Sequence, residues 1–158
     1  QGVQPIISFN YGSRKFNRVK EAVKLAVISA TAIVVFGYVI TRLFPKQIIS
    51  IFNRDPELIK FGSYGLISWF LCMPVVGFQI IASNFFQAIG KYRSAMFLTL
   101  TRQVIFLIPA LIIFPKFWGI NGLLHAAPFA DFFSALLTGI WFFYGIKAMS
   151  ANLAEGIK

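Results

Sequence analysis

Four stretches of this sequence are long and apolar enough to cross a lipid bilayer as helices. The hydrocarbon core of a bilayer is about 30 Å thick, and a helix needs about 20 apolar residues to cross it. The stretches that meet this length are residues 23–44, 58–87, 94–114 and 121–146. The composition agrees, since 58% of the 158 residues are hydrophobic and only 13% are charged. The sequence therefore predicts an all-α integral membrane protein with four transmembrane helices.

Residues 1–22 indicate the end of a preceding helix, followed by a basic amphipathic segment. Gly12 suits a left-handed helix end, and Ser13 suits the N-cap of the next helix. Phe16 and Val19 then recur at helical spacing, with basic residues on the other faces. Because the chain does not begin with methionine and its first helix lacks a start, we expect a fragment of a longer protein.

The basic residues divide unequally between the two ends of the spans. One side carries Arg14, Lys15, Arg18, Lys20, Lys24, Lys91, Arg93, Lys147 and Lys158, and the other carries Arg42, Lys46, Arg54, Lys60 and Lys116. The richer side is expected in the cytoplasm, which predicts a multi-pass protein of the plasma (cytoplasmic) membrane with a cytoplasmic C-terminus. The net charge of +10 favours anionic lipid headgroups as partners. Nucleic acid is not expected, because the basic residues separate apolar runs and form no single groove or motif.

Residues 53–57 predict a helix start outside the cell. Asp55 can cap the helix, Pro56 suits its first turn, and Glu57 lies at the positive end of the helix dipole. Residues 46–52 before this start have apolar side chains between polar ends, which favours a position at the membrane interface.

Polar side chains recur along the second span. They are separated by four or seven residues, which places them on one helical face: Ser68, Cys72, Gln79, Ser83 and Gln87. Pro74 and Gly77 favour a kink within this span. This face is expected to point toward protein or water. Hydrogen bonds between helices and contact with a substrate or ion both remain open roles for it.

Two charged residues lie inside the later spans, Arg102 in the third and Asp131 in the fourth. At about 1.5 Å per residue, Arg102 lies about 12 Å from the cytoplasmic start of its helix and Asp131 about 22 Å from the cytoplasmic end of its own. An unpaired charge at such depth costs a few kcal/mol or more, so each should have a partner or water. We expect both in one polar network, with Asp131 either a structural partner of Arg102 or a group that is protonated or attracts a cation.

No enzyme site emerges from the sequence, and neither a catalytic residue, a bound cofactor nor a metal site is expected. His125 has no metal-ligand partner at a useful spacing, Cys72 is the single cysteine, and no glycine-rich phosphate loop follows a strand. The candidates for a substrate or ion pathway are the polar residues within the spans: Gln79, Ser83, Gln87, Arg102 and Asp131.

The chain resembles the MATE family of multidrug and toxic compound extrusion transporters. Four segments in this order carry the resemblance: QPIISFNYGSRKFNRVKEA, FNRDPELIKFGSYGL, NFFQAIGKYRSA and TRQVIFLIPALIIFPKFWGINGLLHAAPFAD. It implies an antiporter of twelve helices in two lobes, which exports organic cations in exchange for Na⁺ or H⁺. This chain would hold the end of helix 8 to helix 12 in the C-terminal lobe, and its partners would include the remaining helices. Some relatives place a coupling acid at the position of residues 77–79, where this sequence has neither Asp nor Glu.

Two alternatives to a multidrug antiporter stay open. One is a flippase of related architecture for lipid-linked precursors, which would need a large basic cavity for an anionic headgroup. Arg102 is the only clearly intramembrane basic residue in the sequence. The other is a membrane-embedded enzyme or a non-transporting membrane subunit, which would not need Asp131 and Gln79 to face a water-accessible path.

Overall fold

The computed structural model describes the backbone of residues 2–155 and the side chains of residues 2–149. The regular elements in that part of the chain are all helical. They are α1 (Val3–Gly12), α2 (Phe16–Leu43), α3 (Pro45–Ser50), α4 (Pro56–Trp69), α5 (Met73–Ala88), α6 (Tyr92–Leu100), a π-helical segment (Thr101–Leu107) and α7 (Ile108–Glu155). The predicted fold class, an all-α membrane protein, is confirmed.

The last helical stretch reverses direction at a single glycine. Residues 92–149 are helical and apolar over 58 residues, and a straight helix of that length would extend about 87 Å, nearly three times the thickness of a bilayer core. Gly119 interrupts it with φ 55° and ψ −139°, a conformation outside the helical region. Two arms, 92–118 and 120–149, therefore form an antiparallel hairpin, in which Phe106 meets Phe133 and Phe97 meets Trp141 at ring-centroid distances of 5.9 and 5.4 Å.

The second predicted span is two helices joined at an angle. α4 and α5 are bent by 44° at a short break, and Pro74 lies in the first turn of α5. Pro74 has no backbone N–H to donate, and the break interrupts the backbone hydrogen bonds of α4. α4 and α5 therefore do not share one continuous face. The prediction that Cys72 lies on the same face as Gln79 is therefore wrong, because Cys72 precedes α5 and lines a different cavity.

With α4 and α5 taken as one span, the described chain has four crossings of the bundle. These are α2, the α4–α5 pair and the two arms of the hairpin. Where each of them enters and leaves the lipid, at 23–44, 58–87, 94–114 and 121–146, stays a prediction.

The helix starts agree with the sequence at one place and differ at another. Asp55 Oδ1 accepts hydrogen bonds from the backbone N–H groups of Glu57 (2.8 Å) and Leu58 (3.3 Å), as the capping pattern predicts. The predicted end of α1 at Gly12 is confirmed, but the predicted N-cap at Ser13 is wrong by two residues, because Lys15 is the N-cap of α2. The left-handed residue is Arg14, with φ 56°.

Large buried side chains gather at the end of the bundle that carries most of the basic loops. This core consists of Ile7, Val19, Val23, Phe85, Phe86, Ile89, Ala95, Leu98 and Met149. α1 is held against it by a hydrogen bond from Ser8 Oγ to the Ala88 carbonyl, at 2.9 Å. The ends of α2, α5, α6 and α7 thus meet in one apolar cluster.

Toward the other end, small residues occupy many of the contacts between helices. Gly77 of α5 lies against Ala30 of α2, where an added Cβ would be 3.3 Å from the Ala30 backbone. In α7 the buried residues of this half include Ala126, Ala127 and Ala130. Close approach through small residues is typical of helix packing in membranes.

Candidate functional site

A polar cavity of about 220 Å³ lies between α5, α6, the π-helical segment and the second arm of α7. Most of its lining consists of amide and hydroxyl side chains together with one guanidinium: Gln79, Ile80, Ser83, Asn84, Gln87, Leu98, Thr99, Arg102, Gln103, Ser134 and Thr138. Polar groups are rare within membrane-spanning helices and mark the interior of a bundle or a water-filled path. This cavity is the candidate functional site.

The five residues predicted for the pathway come together here. Gln79, Ser83 and Gln87 are four residues apart on α5, so they share one face, and that face lines the cavity. Arg102 lines it from the π-helical segment, and Asp131 lies behind Arg102 as its ion-pair partner. Their part in moving a substrate or ion stays a prediction.

Several lining residues were not among the predicted candidates. They are Asn84, Thr99, Gln103, Ser134 and Thr138. A signal was present for four of them, because Ser134 and Thr138 follow Asp131 at helical spacing, and Thr99 and Gln103 flank Arg102. Asn84 has such a signal as well, because it lies three residues before Gln87 in α5.

Arg102 and Asp131 form a direct ion pair, which confirms the predicted polar network. Arg102 Nε donates to Asp131 Oδ1 at 2.7 Å. The aspartate side chain is only 10% exposed, whereas the arginine side chain is 35% exposed. The carboxylate is thus buried against the helices, and the guanidinium extends from it toward the cavity.

Arg102 and Asp131 were predicted to lie about 12 and 22 Å from the cytoplasmic ends of their helices. These depths overstated the distance between the two residues along the helix axis. In the hairpin both residues are positioned by the turn at Gly119, with Arg102 17 residues before it and Asp131 12 residues after it. That difference of five residues corresponds to about 7 Å along the helix axis. The long arginine side chain spans it. α7 also continues beyond the predicted span end, to Glu155, so its C-terminal end was a poor reference for depth.

A second contact joins α5 to the same point of α7. Gln79 Nε2 donates to the backbone carbonyl of Asp131 at 2.7 Å, and both residues are buried. Gln79 Oε1 and Thr101 Oγ1 are buried and have no hydrogen-bond partner within the described chain. Residue 131 therefore connects three helical segments, and the amide oxygen of Gln79 beside it remains unpaired.

Hydroxyl and amide contacts continue from this point toward the basic end of the bundle. The hydroxyl groups of Ser83 and Thr99 are 3.2 Å apart, and Thr99 Oγ1 donates to the Ala95 carbonyl at 3.0 Å. Gln4 Nε2 of α1 donates to Gln87 Oε1 at 3.4 Å. The cavity wall is therefore held by side-chain hydrogen bonds between α1, α5 and α6.

The π-helical segment is itself a feature of the site, since Arg102 lies at its start. A π-helix replaces the usual i to i−4 bonds by i to i−5 bonds and is rare, and short π-helical stretches are frequent at functional sites. This segment packs against the second arm of α7.

A larger, apolar cavity of about 620 Å³ lies beside the hairpin turn, between the residues just before α5 and both arms of the hairpin. Cys72 and His125 line it together with aromatic residues, among them Phe114, Trp118 and Phe129. The His125 ring nitrogen Nδ1 lies 2.7 Å from the Asn121 carbonyl, within its own helix. Over the residues whose positions are described, no three His, Cys, Asp or Glu side chains come close enough together to hold a metal ion.

Comparisons of the sequence with a family profile and with known proteins agree on one family. The sequence profile of the MatE family matches residues 1–112. The multidrug export protein MepA of Staphylococcus haemolyticus (strain JCSC1435) is 23% identical over 137 residues, which is 87% of this chain and 30% of MepA. A protein of Shewanella oneidensis named FAD transporter is 25% identical over 156 residues, which is 99% of this chain and 33% of that protein.

Solved structures show the same fold. The MATE multidrug transporter DinF-BH matches with a TM-score of 0.85 and 35% identity over 89% of this chain and 32% of that one. The inward-facing conformation of a multidrug resistance MATE family transporter of the MOP superfamily matches with a TM-score of 0.85 and 19% identity, over 94% of this chain and 35% of the other. The chain spans about a third of the length of the proteins that it matches.

Proposed function

We propose, because this chain belongs to the MATE family, that it forms the second half of the C-terminal lobe of a twelve-helix multidrug exporter. Proteins of this family are transporters and not enzymes. The length of the proposed segment, from the end of helix 8 to helix 12, agrees with the share of the relatives that the chain covers, 30 to 33%.

The observation that supports transport most directly is the polar cavity inside an otherwise apolar bundle. Ser83, Asn84 and Gln87 line it from α5, and they lie opposite Thr99 and Gln103. Polar side chains inside a membrane need hydrogen-bond partners from protein or water. A substrate path through a transporter is lined by such side chains. We propose that this cavity belongs to the path of the full-length exporter.

The exchange reaction that we propose is export of an organic cation against Na⁺ or H⁺. Within the part of the chain that the structure describes, Asp131 is the one acid inside a predicted span, and Arg102 already neutralises it. An acid paired at 2.7 Å with a guanidinium is a weak site for a free cation. We therefore place the coupling acid in the helices outside this chain.

Transport by the full-length protein tests this proposal. In proteoliposomes, an outward-directed flux of ethidium, a fluorescent organic cation, is expected to require an inward gradient of either Na⁺ or H⁺, imposed one at a time. Protein-free liposomes and proteoliposomes with both gradients collapsed are the controls. Gradient-independent movement of a lipid-linked precursor, without ethidium flux under either gradient, would favour the flippase instead.

The proposed topology can be tested by cysteine labelling in the full-length protein. Single cysteines replacing Ser13, Asn53 or Ser94 in a Cys72→Ala background are expected to show Asn53→Cys alone labelled from outside, because the basic residues favour the cytoplasm for the other two positions and for the C-terminus. The reagent is a membrane-impermeant maleimide applied to intact cells, and lysed cells provide the control. Labelling of Ser13→Cys in intact cells would reverse the orientation.

A further inference from the structure

We propose that the polar cavity binds an oxyanionic group, a carboxylate or a phosphate, through the guanidinium of Arg102. This inference deepens the proposed transport function, since it names a substrate class that carries an acidic group as well as any cationic one. It rests on the charges, donors and size of the cavity, which are considered in turn.

The first observation is that most of the arginine's donors are unused. A guanidinium has five N–H groups in a fixed planar arrangement. Nε donates to Asp131, and the terminal amino groups make no other hydrogen bond to residues 2–149. Because the Arg102 side chain lines the cavity, its remaining donors are available to a ligand there. Planar, paired donors of this kind match the two oxygens of a carboxylate or phosphate.

The second observation is the direction of the ion pair. Asp131 is the more deeply buried partner and does not line the cavity, whereas Arg102 does. The pair is neutral as a whole, but its positive half faces the cavity and its negative half faces the helices. The guanidinium therefore favours an anionic group over a cationic group at this point of the path.

The third observation is that, among the described residues 2–149, no other residue that lines the cavity carries a charge. The other polar residues are four amides and four alcohols: Gln79, Asn84, Gln87, Gln103, Ser83, Thr99, Ser134 and Thr138. Amide and hydroxyl groups can donate to an oxyanion, and no acidic residue among the lining side chains opposes it. Asp131 acts here as a positioning residue, because its bond to Nε fixes the guanidinium plane.

The cavity volume limits what can enter. At about 220 Å³ it exceeds the roughly 150 Å³ of an engineered protein cavity that binds benzene. It is smaller than the roughly 300–1,000 Å³ of pockets for drug-sized ligands. The cavity therefore accommodates the acidic end of a larger molecule, or one small aromatic acid.

Two small probes of similar shape and opposite charge test the proposal. Benzoate and benzamidinium are titrated by calorimetry into the full-length protein, purified in a neutral detergent. Benzoate is expected to bind and benzamidinium is not. In Asn84→Asp, which adds a negative charge to the cavity wall with little change in shape, benzoate affinity should fall by about tenfold or more. Asn53→Asp, at the exposed turn before α4, is the matched control and should leave benzoate binding unchanged.

A double variant tests the arginine without leaving a buried charge. Arg102→Gln with Asp131→Asn removes both charges together and should abolish benzoate binding while thermal unfolding shows a folded protein. If it is unfolded, Asn84→Asp still decides the question. Equal binding of both probes, preferential binding of benzamidinium, or benzoate binding unaffected by Asn84→Asp would overturn the proposal.

The acidic group could belong to a transported molecule or to a lipid headgroup. Benzoate titration in phosphatidylcholine nanodiscs, with and without phosphatidylglycerol, separates these sources. Competition by phosphatidylglycerol identifies a lipid phosphate as the occupant, and unchanged binding identifies a soluble acid. The binding assay needs no gradient, so the two proposals can fail separately. Ethidium export without benzoate binding would contradict this inference alone. Benzoate binding without ethidium export would contradict the proposed antiport alone.

Discussion

Arg102→Gln in the full-length protein is expected to lower the free energy of unfolding by about 3 kcal/mol, because it leaves the buried Asp131 carboxylate without its partner. Asp131→Asn should cost less, about 1 to 2 kcal/mol, since the arginine that it leaves unpaired is 35% exposed and can reach water. The Gln79 contact should survive both changes, because it is made to the backbone carbonyl of residue 131. The two single variants therefore differ in cost, with the arginine substitution the more damaging.

The double variant makes this a test of coupling. Arg102→Gln with Asp131→Asn replaces the ion pair by two amides, so its cost should be smaller than the sum of the single costs by more than about 1 kcal/mol. Unfolding is followed in one detergent for all four proteins, and ethidium flux is measured in the same lipid. Strict additivity of the stabilities would refute coupling and would leave Asp131 as a candidate for an independent functional acid.

Gly122→Ala is expected to disrupt the hairpin of α7. A Cβ at Gly122 would collide with the backbone carbonyl of Phe114 and lie 3.0 Å from the nitrogen of Pro115. Both are main-chain atoms of the turn around Gly119, so neither can be relieved by a side-chain rotation. We expect a loss of about 3 kcal/mol or more in the free energy of unfolding, at the upper end of overpacking effects.

The same helix offers a matched control for this substitution. Gly139→Ala adds the same methyl group where no described atom outside its own turn of helix lies within 4 Å, so it should be neutral or slightly stabilising. Thermal unfolding of both variants in one detergent gives the comparison. Equal melting temperatures would show that the arms of the hairpin can move apart at Gly122 without cost.

Helix content and the cap at Asp55 were readable from the sequence because they depend on local chemistry. Long apolar stretches determined the all-α membrane class, and Asp55 followed by Pro56 marked the start of α4. The kink that Pro74 and Gly77 favour in the second span is confirmed by the 44° bend between α4 and α5. The full break at residues 70–72 was not predicted, because hydropathy is continuous across it. Hydropathy averages over a window and therefore does not resolve a three-residue interruption.

The candidate site was partly predictable for a related reason. Gln79, Ser83 and Gln87 lie within one unbroken helix, where a spacing of four residues fixes a common face. Arg102 and Asp131 were expected to share a network from the cost of unpaired charge alone, but their direct contact depends on the register of the hairpin at Gly119. Asn84 was omitted although it lies three residues before Gln87 in the same helix, so helical spacing already placed it near the predicted face.

The uneven core has a mechanical consequence for the bundle. Phe85 and Phe86 interlock α2, α5 and α7 at the end with the basic loops, whereas the other half of α7 contributes Ala126, Ala127 and Ala130. Small side chains give up few dispersion contacts when two helices slide or separate, and local opening is least costly where such contacts are few. Within the described chain the basic end is therefore the more rigid end of the bundle, and separation of the helices is expected to begin at the opposite end.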